Sequence, residues 1–305
     1  MTDRLLKNQN LMNLVLEHTE SEGVTGNHKA KKHVLLACAS TYNANLESVV
    51  HLILEQEPGI GKSTLAKSII NLFPEDRVKT YSHLSRKALN HMSETLDRKI
   101  IFIEELSGNE ANYSLKIAMS EHKLTSGTVE KHEGAYTTQN KKVSVEGTSF
   151  ITTTTSKPSD KELESRVLRV YTDNSVEYKS DVLDTIKSKV RQKSLPQPEQ
   201  GYSVETFRQA FSKLEVHEVI IPFVDDIVKN ETFIQIPDIF RRTNIILAKV
   251  QAHALLHQKQ REVIDGCLIA IPEDYMNIRD LLEDIFNPND PELKKLKEHV
   301  GDEAF

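Results

Sequence analysis

Apolar residues recur at three-to-four spacing over residues 5–17 and 28–39, with the stretch 23–26, bounded by glycines, between them. That period predicts two opening helices. The pattern then changes. Residues 49–54 form a short apolar run, followed by a glycine-rich turn and a helical segment over 63–72, in the order strand, loop, helix. A second strand is expected at 77–81, a helix at 86–96 and a third strand at 99–103, the last apolar enough to lie buried in a parallel sheet. Alternation of this kind predicts a doubly wound α/β layer.

Downstream, 111–121 reads as a helix, and 124–149 alternates around a polar tip at 137–140, which predicts a β-hairpin. Residues 150–154 and 168–172 complete five core strands. A helix over 181–193 runs into 194–201, where two prolines and a glycine mark a linker. The portion beyond reads as all-helical; its best helix spans 239–257, with Asp238 as the N-cap. The expected division is a helical segment over 1–47, a core over 48–194, and a helical lid and tail over 195–305.

Bulk properties narrow the class. The 305 residues suffice for about two domains. With 38% apolar and 28% charged residues, the chain reads as soluble and globular. Its apolar runs fall far short of the ~20 residues of a membrane span, so no membrane partner is expected. No charged-then-apolar leader opens the chain, and Cys38 and Cys267 have neither metal nor disulfide spacing; a cytoplasmic setting is expected. The net charge of −6 gives no global case for nucleic acid, so any such contact needs a local basic element. His253 and His257 share a helix face at ligand spacing. Ala254, however, stands where a zinc protease carries its general-base glutamate, and the pair reads as structural.

The strongest chemical signal is Glu57-Pro58-Gly59-Ile60-Gly61-Lys62-Ser63-Thr64, placed between a strand and a helix. Backbone N–H groups of such a loop, with the helix N-terminus, wrap phosphates. Lys62 would reach the β- and γ-phosphates of ATP, and the Ser63 hydroxyl would ligate Mg²⁺. The full pattern has a glycine where Gln56 stands. The second signal is the strand ending in Glu104-Glu105. An acid at the end of a buried strand beside a P-loop holds the metal's water shell, and a second acid activates the attacking water. Glu104 is assigned to the metal and Glu105 to the base.

In their order, the P-loop, Ile-Phe-Ile-Glu-Glu, the hairpin, Phe-Ile-Thr-Thr-Thr-Thr-Ser and Glu-Ser-Arg166-Val-Leu resemble AAA+ proteins with a β-hairpin before sensor 1. The resemblance covers about residues 28–286. It is nearest to the self-loading replicative helicases of phages, plasmids and bacterial mobile elements, which are similar to minichromosome-maintenance helicases. The resemblance implies an α/β AAA+ core with a five-stranded parallel sheet, a β-hairpin insertion, an N-terminal helical collar and a C-terminal helical lid. It also implies a sensor at Thr154 or Thr155, a trans-acting arginine finger at Arg166, and a lid arginine contacting nucleotide at Arg241, with Arg242 as the fallback. The hairpin would be the translocation element, meeting DNA phosphates through Lys141 and Lys142. Competing readings are a plain threonine run at a strand end, solvated arginines, and a solvated turn.

The function expected on this reading is an ATP-hydrolysing DNA helicase or translocase motor that assembles as a hexameric ring. Its partners would be single-stranded or forked DNA, other copies of itself, and a primase or initiator protein. Two rivals are a DNA-bound ATPase switch, such as a helicase loader or transposition regulator, and a protein-remodelling AAA+ machine. The second would want an aromatic pore loop, for which Tyr136 is the one candidate. A P-loop small-molecule kinase is disfavoured because Arg166 and the lid follow an oligomer's layout.

Overall fold

The computed structural model describes residues 1–82, 95–105, 109–132, 135–155, 161–192, 201–228 and 239–282. Its centre is a five-stranded parallel sheet built from β1 (Leu52–Glu55), β2 (Val78–Tyr81), β3 (Ile100–Ile103), β6 (Ser149–Thr154) and β7 (Leu168–Tyr171). Their spatial order is β2-β3-β6-β1-β7. The P-loop strand β1 therefore does not touch the acid-bearing strand β3. Strand β6 runs between them, pairing Leu52↔Ile151 on one side and Phe102↔Ile151 on the other.

Side chains alternate across a strand, and here both faces are apolar. Leu52 and Leu54 of β1 and Ile100 and Phe102 of β3 join one cluster, which also holds Leu65 and Ile69 of helix α4 (Lys62–Ile70). Ile53, Ile101 and Ile103 join the other, with Leu115 and Ala118 of helix α5 (Asn109–Glu121). Helices thus cover the sheet on both sides, which is why these strands read as continuous apolar runs.

The first cluster extends well past the sheet. It takes in helices α1 (Thr2–Leu6), α2 (Leu11–Ser21) and α3 (His28–Ser40), then α8 (Val204–Phe211) and α10 (Ile239–Leu256). Phe73, following α4, stacks on Phe211 at 4.7 Å between ring centroids. Lys249 of α10 meets His33 of α3 at 2.5 Å inside the same region. Each fully buried Leu, Ile or Phe contributes roughly 1.5–3 kcal/mol. Exposed ion pairs such as Lys213–Asp3 (2.8 Å) contribute about 0–1. Apolar burial, not surface charge, therefore holds the terminal helices against the P-loop sheet.

The N-terminal period is read correctly but its continuity is not. The helix expected over 5–17 is two helices, α1 and α2, broken where the Asn8 side chain accepts the N–H of Asn10 at 2.8 Å. The portion expected to be all-helical contains a small sheet, with β8 (Glu218–Ile220), β9 (Val263–Ile264) and β10 (Cys267–Ile269) in the order β8-β10-β9. Two- and three-residue strands are too short to display a period. The remaining helices are α6 (Lys161–Glu164), α7 (Val176–Gln192), α9 (Val224–Val228) and α11 (Pro272–Met276). Most of the helix expected over 86–96, the linker over 194–200 and the cap Asp238 lie outside the described residues.

The predicted hairpin is an antiparallel pair, β4 (Lys123–His132) and β5 (Ala135–Ser144), but in a different register. The ladder runs from Lys123↔Ser144 to His132↔Ala135. The tip expected at 137–140 is therefore strand, and Lys141 and Lys142 pair with Ser126 and Thr125 near the base. The two lysines also occupy opposite ladder faces. Lys141 falls on the face that buries Leu124 and Val143 at the base, and Lys142 on the face of Lys123, where both lysines are exposed.

Candidate nucleotide site

Strand β1 ends at Glu55 and α4 begins at Lys62, so residues 56–61 form the loop between them. Gly59 (φ 83°) and Gly61 (φ 85°) adopt the left-handed conformation. A Cβ at either would meet no atom within 4 Å, so backbone conformation and not crowding calls for glycine. The turn ends on the N-terminus of a nine-residue helix, whose unpaired N–H groups and dipole favour an anion.

Lys62 is 7% exposed. Its ammonium donates to the carbonyls of Gln56 (2.7 Å) and Glu57 (2.8 Å), folding the side chain along its own loop. Burial pulls its pKa below the ordinary lysine value, and the neighbouring Glu105 carboxylate works in the opposite sense. Ser63, one residue on, is partly exposed in the first turn of α4. Gln56, off-pattern in sequence, has a structural task. Its Nε2 donates to Thr172 O (2.7 Å), beyond the end of β7, and its Oε1 accepts the N–H of Glu57 (3.0 Å). A glycine there could make neither side-chain bond.

The acids stand across β6 from the loop. The Glu104 N–H donates to Tyr81 O (2.9 Å), fixing the end of β3. Its carboxylate is ion-paired with Lys67 of α4, a residue that belongs to no motif. Glu105 follows, exposed. Along β6, the Thr152 hydroxyl donates to Ile103 O (2.9 Å) and that of Thr153 donates to Glu104 O. Thr154 pairs with Glu55 and is 5% exposed, while Thr155 lies one position past the strand and is exposed. At the P-loop's root, Arg169 of β7 bridges the carboxylates of Glu55 and Glu164. Lys62, Glu104, Glu105 and the threonines thus gather at the C-terminal edge of the sheet, the edge at which open α/β sheets bind ligands.

The two arginines do not join them. Arg166 precedes β7 and lines a cavity of about 180 Å³ at the opposite edge, together with Arg241 of α10, His51, His122, Ser165 and Asn244. Arg242 does not line it. Glu162 holds one Arg166 nitrogen (3.1 Å), and the Arg166 Nε is buried with no partner among the described residues. Burial, with His122 and Arg166 nearby, drives the pKa of His51 down to about 3. His51 is therefore neutral, and its Nδ1 accepts the N–H of Phe150 (3.3 Å). Arg166 and Arg241 bring guanidinium charge to the cavity, and Glu47, also on its wall, lies 3.2 Å from the His122 Nε2. No sequence signal pointed to His51, His122 or Asn244, because the chain joins them only through tertiary packing.

His253 and His257 are buried and stacked at 4.4 Å between centroids. Asp274 binds the Nδ1 of His253 (2.6 Å) and pairs with Arg261 (2.5 Å). Among the described residues, no group of three or more His, Cys, Asp or Glu could hold a metal ion. No helix among them is long and apolar enough to cross a membrane.

A glycine turn at φ near 85°, running from a central parallel strand into a helix that opens with Lys62-Ser63, defines a P-loop nucleotide-binding α/β domain. The family model described as the MTBMA_p00010 P-loop domain matches residues 2–217, and the chain belongs to that family. A 75-residue stretch, 24% of the chain, is 33% identical to the uncharacterized MCM-type protein MJ0363 of Methanocaldococcus jannaschii. The match covers about a tenth of that protein's length.

Proposed function

We propose that the chain is an ATP-hydrolysing AAA+ motor that binds ATP–Mg²⁺, assembles as a hexameric ring and translocates on DNA as a replicative helicase. The observation that carries this reading is the division of the charged machinery between the two edges of one sheet. Lys62, Glu104 and Glu105 gather at one edge, and Arg166 with Arg241 at the other. Strand β1 alone spans ~13 Å at ~3.3 Å per residue, so an arginine beyond its start is remote from its own P-loop. Both arginines are suited to a phosphate on an adjacent copy, where a guanidinium offsets the charge of the transferring γ-phosphoryl group.

In this mechanism the loop N–H groups and Lys62 bind the β- and γ-phosphates. Ser63 and Glu104 would hold Mg²⁺, which supplies charge neutralisation between the phosphates. Lys67 of α4 pairs with the Glu104 carboxylate and fixes its direction. Glu105 orients a water and takes its proton. Thr155 is the better sensor of the two threonines considered. It is exposed just past the end of β6, whereas Thr154 is 5% exposed within the strand. The similarity to an MCM-type protein supports the helicase reading, with β4–β5 as the element meeting DNA through the exposed face of Lys123 and Lys142.

One observation favours the rival in which the chain hydrolyses ATP and assembles without unwinding. Lys141 and Lys142 lie near the hairpin base, far from the end that would grip a moving strand. A strand-displacement assay with ATP, beside mass measurement with and without nucleotide, separates the two. ATP-dependent unwinding by a ring supports the motor, and assembly with ATPase turnover but no unwinding supports the switch.

A further inference from the structure

Helix α7 is rooted at the nucleotide edge. Asn174, two residues before it, donates to the Glu57 carboxylate of the P-loop at 3.4 Å. One side of α7 is fixed to the loop after α2. Thr185 bonds Thr25 (2.7 Å), the Lys189 ammonium donates to Glu22 O (2.5 Å), and the Tyr178 ring lies against Gly26. Another side carries Leu183, Ile186 and Val190 at i, i+3 and i+7, exposed by 54%, 52% and 65%. Val176, seven residues before Leu183, is 77% exposed. This is the spacing of a helix seam that expects a partner. At the other edge of the sheet, Phe240 is 84% exposed and immediately precedes Arg241.

We infer that these two apolar surfaces meet between copies of the chain, with Phe240 of one copy seated on the Leu183–Ile186–Val190 stripe of the next. The inference rests on the reading that Arg166 and Arg241 act on a neighbour's nucleotide. Given that reading, a second copy must cover the P-loop edge, and α7 is the apolar surface continuous with that edge. Charge agrees: Glu57 and Glu105 are exposed on the P-loop side, and Arg241 follows Phe240 on α10. The contact is heterologous, joining unlike faces head to tail, as a closed ring requires. A large aromatic on an apolar seat is the kind of anchor that carries most of an interface's binding energy.

The test uses Ile186→Glu, Phe240→Lys, and the two changes combined in one chain. Both sites are exposed helix surface, and a thermal melt of each variant checks the fold. Oligomer mass is measured by sedimentation with a non-hydrolysable ATP analogue, and Arg166→Ala is run alongside. Each single change should weaken assembly by about thirtyfold, which is a hot-spot loss of about 2 kcal/mol. The pair should restore it, because the new glutamate and lysine then face each other across the junction. Wild-type assembly by either single variant, or no recovery in the pair, overturns the inference. Arg166→Ala reports separately on the trans reading. Full-size assembly with lost turnover supports that reading, and full turnover removes it, whatever the charge-swapped pair does.

Discussion

Arg166 and Arg241 line the same cavity at the sheet edge opposite Lys62, although they come from unrelated elements, one before β7 and one on α10. Two arginines sharing one site should share one phenotype. Arg241→Ala is expected to reduce ATP turnover as Arg166→Ala does, each by about 10³, the low end of an arginine finger's effect. Nucleotide affinity of the isolated subunit should stay near wild type in both. Steady-state kinetics beside equilibrium binding of a fluorescent ATP analogue measures the two quantities. Loss of affinity in Arg241→Ala alone would return that arginine to its own subunit's nucleotide.

Lys62 and Glu105 should separate binding from chemistry. Lys62→Ala removes the charge proposed to meet the phosphates and should abolish both binding and turnover. Glu105→Gln keeps the shape of the side chain but cannot take the water's proton. It should bind ATP normally while turnover falls by about 10²–10⁴. Rapid-quench measurement of phosphate release checks this. Weakened binding with normal turnover of what binds would exchange the roles of Glu104 and Glu105.

Gln56 offers a test of the loop's departure from pattern. Gln56→Gly restores the expected glycine but deletes the bonds to Thr172 O and Glu57 N. At about 0.5–1.5 kcal/mol for each hydrogen bond, the change should destabilise the protein by about 1–3 kcal/mol. Chemical denaturation reads the loss directly. An unchanged midpoint would mean that the two bonds carry no net stability.

What the sequence made legible was local. The loop from 56 to 61 is recognisable because β1, the turn and α4 are consecutive and each has its own signature. Five parallel strands followed from apolar runs of the right length. Non-local relations were not legible. The runs 100–103 and 149–154 do not themselves state that β6 lies between β1 and β3; the resemblance alone implied it, by placing the sensor strand between the two nucleotide motifs. The hairpin's alternation gave its existence but not its register. The tract from Thr125 to Lys142 is mostly polar in sequence, and among the described residues Leu124 and Val143 are the buried pair at the base. The arginine cavity was likewise hidden, because α10 reaches β7 only by packing across the shared core.

The corrected register changes which lysines should matter for DNA. Lys123 and Lys142 share the exposed face, whereas Lys141 is on the other. Replacing Lys123 and Lys142 together by alanine should flatten the dependence of DNA affinity on salt by about two counterions, and Lys141→Ala should leave that slope unchanged. Affinity measured over a salt series gives both slopes. The reverse outcome would assign the contact to the Lys141 face.

His257 predicts how stability depends on pH. It is buried, and burial drives its pKa down to about 3. The folded protein keeps this ring neutral, while the unfolded chain takes a proton below about pH 6.5. Its contribution is therefore fully present above that value and lost as pH falls from there toward 3, by at most about 1.4 kcal/mol per pH unit. The depressed pKa of Asp274 adds a loss of the same sign at lower pH. Urea midpoints between pH 7.5 and 5 should fall for the wild type and fall less steeply for His257→Gln. Equal slopes would mean that His257 is not held neutral by the fold.

On the proposed reading each nucleotide is served by two copies of the chain, and subunit mixing decides whether it is. Lys62→Ala and Arg166→Ala proteins are each expected to be inactive alone. Mixed, some junctions join an intact P-loop on one copy to an intact arginine on the next, so part of the ATPase activity should return and should peak near equal proportions. An arginine serving its own subunit cannot be rescued in this way. No activity at any mixing ratio, from proteins that demonstrably co-assemble, would contradict the account.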